Sequence, residues 1–266
     1  MSVVPSGQLI LTAFNRLFIA GNRHDPQLLR WSNLGDPRGW PYSNFAYVEH
    51  SSGHPITAIA PFGTDINGGV LVFTDVSISL LRGDMVTAER SQLERIVNGI
   101  GAVSHRLVTP VDGRVFFIGT DGQPYSIGPG GLEKLAAETG MKRIFAPTSR
   151  ARSATQVDYS PYFANAPALA RGVAVYYRSR GWWCIHYPTN GVVPSTCLVY
   201  EMETGDWCVY ATDMEAQCAT TLRAGGTDHL WVRGDLAGNL YVEDVWTTEQ
   251  VYDDFTGKVV FGPLWA

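Results

Sequence analysis

Short alternating strands separated by glycine-containing turns recur along the whole chain. Segments with a period of two include QLILTAF, RLFIAG, GVLVFTDVSISLL, GRVFFIGTDGQPYSI, GVAVYYRSRGWWCIHY, CLVYEMETGDWCVY and HLWVRGDLAGNLYVED. Such alternation, bounded by Gly, Asp and Asn, is typical of antiparallel hairpins. The hairpin units begin near Phe14, Ile56, Val103, Val173 and Ala219. A recurrence of roughly 35 to 50 residues is the length of one four-stranded propeller blade, so the pattern predicts an all-β fold, a β-propeller of about five to six blades.

We expect the propeller to be a single domain over residues 1–266. A blade buries its faces only against neighbouring blades, and closing the ring removes exposed sheet ends. The strand-like segment KVVFGPLW at 258–265 is therefore predicted to complete a blade with the first strands and close the ring. Two segments interrupt the pattern: residues 85–95 are predicted as a short helix or turn, and residues 146–170 as a long inter-blade loop.

Particular turns carry structural predictions. The segment RWSNLGDPRGW at 30–40 is similar to the aspartate box of sialidase-like propellers, but Asn33 and Leu34 follow the serine where that pattern has an Asp at the second place. A Gly-Asp-Pro turn between two tryptophans still favours a structural role. In the hairpins, Asp121-Gly122 is predicted to supply the positive φ of a primed turn. The predicted blade and turn residues are Trp31, Ser32, Gly35, Asp36, Trp40, Asp121, Gly122, Gly205 and Trp207.

Charge and motif content exclude several functions. With 20 basic and 25 acidic residues the net charge is −5, and no Lys/Arg run marks a phosphate-binding face, so tight nucleic-acid binding is not expected. The sequence has no GxSxG elbow, phosphate loop or HExxH helix, and His50 and His54 are a chance pair in a polar loop. We therefore predict no enzyme activity, no metal and no cofactor.

The cysteines and the hydropathy pattern indicate a reducing compartment. Cys184, Cys197, Cys208 and Cys218 form no CxxC pair and are predicted to be free buried thiols. The start, MSVVPSGQLILTAF, does not have the pattern of a signal peptide, and no 18-residue apolar run is long enough to span a bilayer. We expect no membrane contact and synthesis in a cytoplasm.

Four stretches, in this order, resemble a known family. They are NRLFIAGNRHDPQLLRWSNLGDPRGW, then ITAIAPFGTDINGGVLVFTDVSISLLRGD, then GIGAVSHRLVTPVDGRVFFIGTDGQPYSIGPGGLEKL, and finally the pair YYRSRGWWCIHYPTN and CLVYEMETGDWCVY. Together they are similar to the β-propeller of tail and neck proteins of tailed bacteriophages, including tail nozzle proteins and packaged-DNA stabilisation proteins. Many nozzle proteins are longer, with additional domains around the propeller.

The resemblance implies a structural virion protein: a tail nozzle, hub or neck component. It would form a ring, sixfold by analogy, around the DNA exit channel. Its partners would be further copies of itself, the portal, the adaptor or other tail proteins, and genomic DNA passing without specific binding. It would be located in the virion tail or neck after assembly in the host bacterial cytoplasm. Candidate lumen or subunit-contact residues are Arg23, His24, Asp25, Asp65, Asn67, Arg150, Arg152, Tyr159 and Tyr162.

Two other functions stay open. Eight tryptophans and twelve tyrosines would suit a receptor- or carbohydrate-binding propeller of a tail tip or fibre, because aromatic rings stack on sugars. A glycoside hydrolase with paired carboxylates across a central funnel is a third possibility. Glycan binding would favour the former, and turnover of a chromogenic glycoside the latter.

Overall fold

A computed structural model of the chain describes residues 4–49, 53–63, 68–83, 91–136, 166–189, 193–211, 215–224 and 228–243. The predicted all-β class is confirmed, because the described residues form five antiparallel sheets with only short 3-10 helices besides. The chain comprises two compact units, Met1–Lys142 and Arg143–Ala266. The single domain over residues 1–266 stays a prediction.

The first unit contains three sheets of four strands, and the strands lie side by side in chain order. The first sheet consists of β1 (Leu9–Ala13), β2 (Arg16–Ala20), β3 (Leu28–Trp31) and β4 (Phe45–Tyr47). The second sheet consists of β5 (Ile56–Phe62), β6 (Gly69–Thr74), β7 (Ser77–Gly83) and β8 (Ser91–Asn98). The third sheet consists of β9 (Val108–Val111), β10 (Arg114–Ile118), β11 (Pro124–Gly128) and β12 (Gly131–Lys134), preceded by a 3-10 helix over His105–Leu107.

The second unit repeats the same arrangement. The fourth sheet consists of β13 (Val173–Tyr177), β14 (Trp182–Tyr187), β15 (Thr196–Glu201) and β16 (Trp207–Ala211). The fifth sheet has three described strands, β17 (Cys218–Ala224), β18 (Asp228–Gly234) and β19 (Leu240–Glu243). Four-stranded meanders in chain order are what the sequence predicted for propeller blades.

The second sheet lies between two others and is buried on both faces. Every residue of β6 is buried, and its side chains alternate between two cores. Val70 and Val72 pack with Leu29 and Trp31 of the first sheet. Leu71 and Phe73 belong instead to the core shared with the third sheet. A strand buried on both faces must be apolar at every position, which explains why GVLVFT shows no polar alternation.

The primed turns lie at other positions than predicted. Of the Asp121-Gly122 pair only Gly122 has a positive φ, +76°, so this connection is not a primed two-residue turn and that prediction was wrong. Positive φ at two consecutive residues occurs instead at Phe14-Asn15 and at Asp112-Gly113, where the strand register closes on the turn. These two pairs form the tight β1–β2 and β9–β10 hairpins.

Three further predictions have definite outcomes. The expected helix or turn over 85–95 is wrong for its second part, since Ser91–Asn98 is the edge strand of the second sheet, while 85–90 lies outside the described residues. In the predicted 146–170 loop, a 3-10 helix over Ala166–Arg171 begins before the end, and residues 146–165 are not described. All four cysteines are free, but only Cys184 and Cys197 are buried, and Cys218 is exposed. The KVVFGPLW segment also lies outside the described residues.

Candidate functional site

The predicted contact residues Arg23, His24 and Asp25 lie together on the connection between β2 and β3. Arg23 and His24 are exposed, and the His24 backbone N–H donates to Asn22 Oδ1 at 2.8 Å. Asp25 accepts a hydrogen bond from the Tyr47 hydroxyl at 2.8 Å. This bond to the Asp25 carboxylate raises the pKa of Tyr47. The loop is thus fastened to its own sheet at one end and presents two basic side chains to solvent.

The structure does not describe the other six predicted contact residues. Asp65, Asn67, Arg150, Arg152, Tyr159 and Tyr162 lie outside the described residues. Their proximity to Arg23–Asp25 and their assignment to a lumen stay predictions.

The 30–40 segment forms a compact turn around a buried serine. The Ser32 side chain is fully buried, and its hydroxyl accepts from the Leu17 N–H and donates to the Asn33 carbonyl, each at 3.0 Å. The Ser32 carbonyl in turn accepts from Arg16 Nη1 at 2.7 Å. The hydroxyl therefore joins the end of β3 to β2.

The two tryptophans of this turn are both buried. Trp31 packs in the core between the first and second sheets, with its ring 6.3 Å from Phe18. Trp40 donates from Nε1 to the Pro37 carbonyl at 2.9 Å. Asp36 accepts from the Arg38 N–H at 2.9 Å, and Gly35 has the positive φ, +67°, that the turn requires. All these groups hold the turn closed.

An aspartate recurs at the same topological position in four sheets. Asp25, Asp75, Asp121 and Asp235 each lie in the connection from the second to the third strand of their sheet. Asp25 pairs with Tyr47, and Asp75 Oδ1 lies 2.8 Å from His54 Nδ1. Asp121 accepts from the Tyr125 hydroxyl at 2.7 Å and from the Gln123 N–H at 3.0 Å.

The fifth sheet has the most fully bonded of these aspartates. Asp235 accepts from the Asn239 N–H and side-chain amide, both at 2.9 Å, and from the Tyr241 hydroxyl at 3.0 Å. The hydrogen bonds from Asn239 lower the pKa of Asp235 to about 2. Burial and the bond to Asp121 raise the pKa of Tyr125. The Asp235 carboxylate is therefore ionised near pH 7, and both Asp121 and Asp235 are occupied in fastening turns.

The Thr204–Trp207 turn of the fourth sheet has a similar structural character. The Gly205 N–H donates to the Glu201 carbonyl at 2.9 Å, and Gly205 has a φ of +77°. The Trp207 ring lies 4.9 Å from Tyr200 and 6.3 Å from Trp183. The turn is thus followed by β16, whose first residue, Trp207, packs on Tyr200 of β15 and Trp183 of β14.

A histidine is completely buried where the fourth and fifth sheets meet. His186 of β14 pairs across strands with Cys197, its Nε2 lies 4.0 Å from Cys197 Sγ, and its ring lies 5.5 Å from the Trp231 ring. His186 Nδ1 and Trp231 Nε1 are buried and have no hydrogen-bond partner within the described ranges. Burial, helped by the charge of Arg233, lowers the pKa of His186 to about 3. The imidazole is therefore neutral near pH 7.

A cavity of 430 Å³ lies on the face of the first sheet that points away from the second. Its lining includes Pro5, Ile19, Arg30, Trp40 and Tyr42. Arg30 is opposite Ile19 and Phe45 in the strand register, so it projects from the middle of an otherwise apolar face. Tyr42 is 87% exposed beside it.

Within the part of the chain that the structure describes, no three His, Cys, Asp or Glu side chains are arranged to hold a metal ion. None of its helices is long and apolar enough to cross a membrane.

Comparison with known proteins adds information on fold alone. No family model and no curated protein matches the chain. Among solved structures, BBS1N in complex with ARL6DN is similar at 13% identity and a TM-score of 0.52, covering 86% of this chain and 60% of that one. BBS1N is a propeller, so the likeness agrees with the propeller class, while blade count and ring closure are finer questions. The chain spans 60% of the length of BBS1N.

Two bacterial structures show weaker likeness. Virginiamycin B lyase from Staphylococcus aureus has 10% identity and a TM-score of 0.47, covering 91% of this chain and 70% of that one. TolB from Acinetobacter baumannii has 14% identity and a TM-score of 0.41, covering 88% and 54%. Both scores are too low to support an argument about this chain.

Sequence reasoning missed the cavity, His186 and Asp235. Arg30 looked like an ordinary polar position in LLRW, because its apolar cross-strand neighbours are distant in sequence. His186 follows the inward alternation of Cys184, and this was a usable signal. The Asp235–Tyr241 pair has the same Asp-to-Tyr order as Asp121–Tyr125, and aligning the two turns would have revealed it.

Proposed function

We propose that the chain is a structural, non-catalytic propeller subunit of the tail or neck of a tailed bacteriophage. The observation that carries this proposal is the match between the four stretches of the resemblance and the sheets. Each stretch covers strands of one sheet, in the order first, second, third and fourth. A resemblance of separate motifs would be weak, whereas motifs that each coincide with one structural repeat are what a common blade arrangement produces.

The polar groups of the described turns support a rigid building block. Ser32, Asp121 and Asp235 are engaged in hydrogen bonds that fasten connections to strands. The second sheet is sealed on both faces by apolar cores. A component that must hold its shape against packaged DNA gains from such cross-linked turns and tightly packed cores.

The proposed ring of blades has five or six members and is closed by the chain termini. The fifth sheet has three described strands where the others have four. Its last strand, β19, precedes the strand-like KVVFGPLW segment. A terminal strand that completed a sheet would remove a free edge, which favours closure.

Six such subunits would surround the DNA exit channel, with the portal, the adaptor or other tail proteins as neighbours. A net charge of −5 per chain suits a channel along which DNA slides, because a like-charged wall does not hold the phosphate backbone. The exposed Arg23 and His24 are candidates for contact between subunits.

Assembly and location test the proposal. We expect the full chain to form a closed ring in native mass spectrometry, alone or on portal–adaptor complexes, and to be present in purified particles. A protein that is monomeric under both conditions and missing from particles would refute it. The same ring should retard duplex DNA poorly at moderate salt, and tight, salt-sensitive binding would remove the sliding-channel role.

A further inference from the structure

We propose that the cavity on the first sheet binds a small ligand in which a carboxylate is attached to a ring, with sugar acids as the favoured class. At 430 Å³ the cavity lies within the usual size range of small-molecule sites. The described lining residues belong to the first unit: to the N-terminal segment, β2, the β2–β3 connection, β3 and the β3–β4 connection. The binding role is independent of assembly into a tail.

The cavity contains a cation that has no counter-ion. Among the described residues, no Asp or Glu carboxylate lies within 4.0 Å of the Arg30 guanidinium. Among the described residues the Arg30 guanidinium makes one hydrogen bond, which runs from Nη2 to the Pro41 carbonyl at 3.1 Å. The other guanidinium donors stay available, and a planar fork of N–H groups matches a carboxylate in two parallel hydrogen bonds.

Other arginines of the first unit are arranged differently. Arg95 Nη2 lies 3.1 Å from Glu49 Oε1, and Arg114 Nη2 lies 3.1 Å from Glu133 Oε2. Both guanidinium groups are paired with a glutamate carboxylate, whereas Arg30 projects from an apolar face between Ile19 and Phe45. A charge on an apolar face without a partner attracts an anion more strongly than one in water, because the local dielectric constant is low.

Aromatic surface beside the cation accounts for the ring of the ligand. The Tyr42 ring is 87% exposed, and Arg30 Cζ lies 5.9 Å from its centroid. Trp40 also lines the cavity and is fixed by its hydrogen bond to Pro37. The exposed Tyr42 ring beside the guanidinium offers a stacking platform next to the carboxylate position.

The remaining polar group favours sugar acids over aromatic acids. The Ser6 hydroxyl accepts from the Asn22 side-chain amide at 3.1 Å and keeps its own proton to donate. Both residues line the cavity. A hydroxyl-bearing ligand would use this donor, whereas an aromatic acid would leave it facing apolar carbon at a cost.

Binding of defined probes to the full chain tests the site. Calorimetry and ligand-observed NMR would compare glucuronate and N-acetylneuraminate with the aromatic acid benzoate, and each class with its neutral analogue, glucose or benzyl alcohol. We expect saturable binding of the acids and none of the neutral analogues. Preference for glucuronate and N-acetylneuraminate would identify sugar acids as the ligand class, and preference for benzoate would identify aromatic acids. In both cases the cavity would be a carboxylate-binding site.

Variants locate the binding. Removing the charge with Arg30→Gln should weaken binding at least about tenfold, since hydrogen bonds to charged groups contribute more than neutral ones. Tyr42→Ala should weaken it roughly threefold to tenfold through loss of the platform, and its high exposure makes a folding defect unexpected. The control Arg82→Gln changes an exposed arginine of the second sheet and should leave binding unchanged.

Three results would overturn the proposal. They are absence of binding by any acid, equal binding of acids and neutral analogues, and binding that survives both Arg30→Gln and Tyr42→Ala. The first would mean that the cavity is not a ligand site.

Discussion

The contact between the second and third sheets and the contact between the fourth and fifth sheets use the same packing with different chemistry. In the former, Phe117 lies 5.1 Å from Phe73 and 5.6 Å from Tyr125, and the surrounding cluster is aliphatic. In the latter, Trp231 packs on Tyr210 at 5.0 Å and on His186 at 5.5 Å, among Cys184 and Cys197. Both insert an aromatic ring into a neighbouring sheet, and the second also encloses the His186 imidazole completely.

The two contacts enclose different polar atoms. The Tyr125 hydroxyl at the edge of the first contact donates to Asp121. In the second, His186 Nδ1 and Trp231 Nε1 have no hydrogen-bond partner among the described residues. Beside the third sheet, Gln123 Nε2 and His105 Nδ1 are likewise buried with no partner among these residues. Each such group costs on the order of 1–3 kcal/mol, so both contacts carry this cost.

The first unit shows how a buried charge is accommodated instead. Glu49 has a side chain that is only 4% exposed, yet Arg95 Nη2 lies 3.1 Å from its Oε1 and the Ser77 hydroxyl donates to the same oxygen. This cluster fastens the chain after β4 to the second sheet.

The largest expected effect is that of Trp231→Ala. Trp231 is the fully buried residue by which the fifth sheet enters the shared cluster, so its truncation should lower the free energy of unfolding by about 3–5 kcal/mol. Hydrogen exchange should show protection lost first in β17–β19, with β9–β12 unchanged. Trp207→Ala, at a half-buried position of the fourth sheet, is the control with a smaller loss. A uniform loss in all five sheets would show that the two contacts are one cooperative structure.

The next effect separates the contacts by pH. Because the pKa of His186 is about 3 in the folded chain and that of an unfolded histidine is about 6.5, the unfolded chain binds the extra proton between these values. The stabilisation is fully present above pH 6.5 and declines as the pH falls towards 3. The contribution of His186 to the slope should reach about 1.4 kcal/mol per pH unit in urea unfolding, and it adds to that of His105, whose pKa is also lowered by burial.

Substitutions test the assignment of this slope. His186→Leu should flatten it, and His24→Leu, at an exposed position, should leave it unchanged. The groups that face the imidazole are Cys197, Trp231 and, by its charge, Arg233. An unchanged slope in His186→Leu would assign the acid sensitivity elsewhere and remove this distinction between the two contacts.

A smaller effect concerns the aspartate turns beside each contact. Tyr125→Phe removes the hydrogen bond to Asp121 and should cost about 1 kcal/mol, since the carboxylate is charged but partly solvated. Tyr241→Phe removes the matching bond to Asp235, but Tyr241 is only half-buried whereas Tyr125 is 4% exposed, so the loss should be smaller. Thermal unfolding of both variants measures the order, and a larger loss for Tyr241→Phe would contradict it.

The sequence was sufficient for the features that depend on local pattern. The alternation in QLILTAF and the glycine turns predicted strands that the structure contains, whereas the burial of GVLVFT on both faces was not predicted. The strand Ser91–Asn98 was missed because SQLERIVN is mostly exposed at the sheet edge, so no apolar face marks it. The primed turn at Asp112-Gly113 carried the expected dipeptide and was passed over in favour of Asp121-Gly122.

The candidate site required information that no local pattern holds. Arg30 is distinguished by its cross-strand neighbours Ile19 and Phe45, which are set by strand register across two connections. His186 is distinguished by Trp231, which belongs to another sheet. Pairing between distant segments decides whether a polar side chain is solvated or enclosed, and a single sequence does not give that pairing.

The smallest expected effect tests whether the fifth sheet has one covered face while the second has two. Leu240 and Leu222 lie on the face opposite Trp231 and are 69% and 52% exposed. Leu240→Lys should therefore change the free energy of unfolding by no more than about 0.5 kcal/mol. Leu71→Lys, in the fully buried β6, is the matched substitution and should prevent stable folding, because an unpaired ammonium would be enclosed in apolar carbon. If Leu240→Lys were nearly as damaging in thermal unfolding, this face would be covered in the complete chain, and the fifth sheet would be an interior sheet like the second.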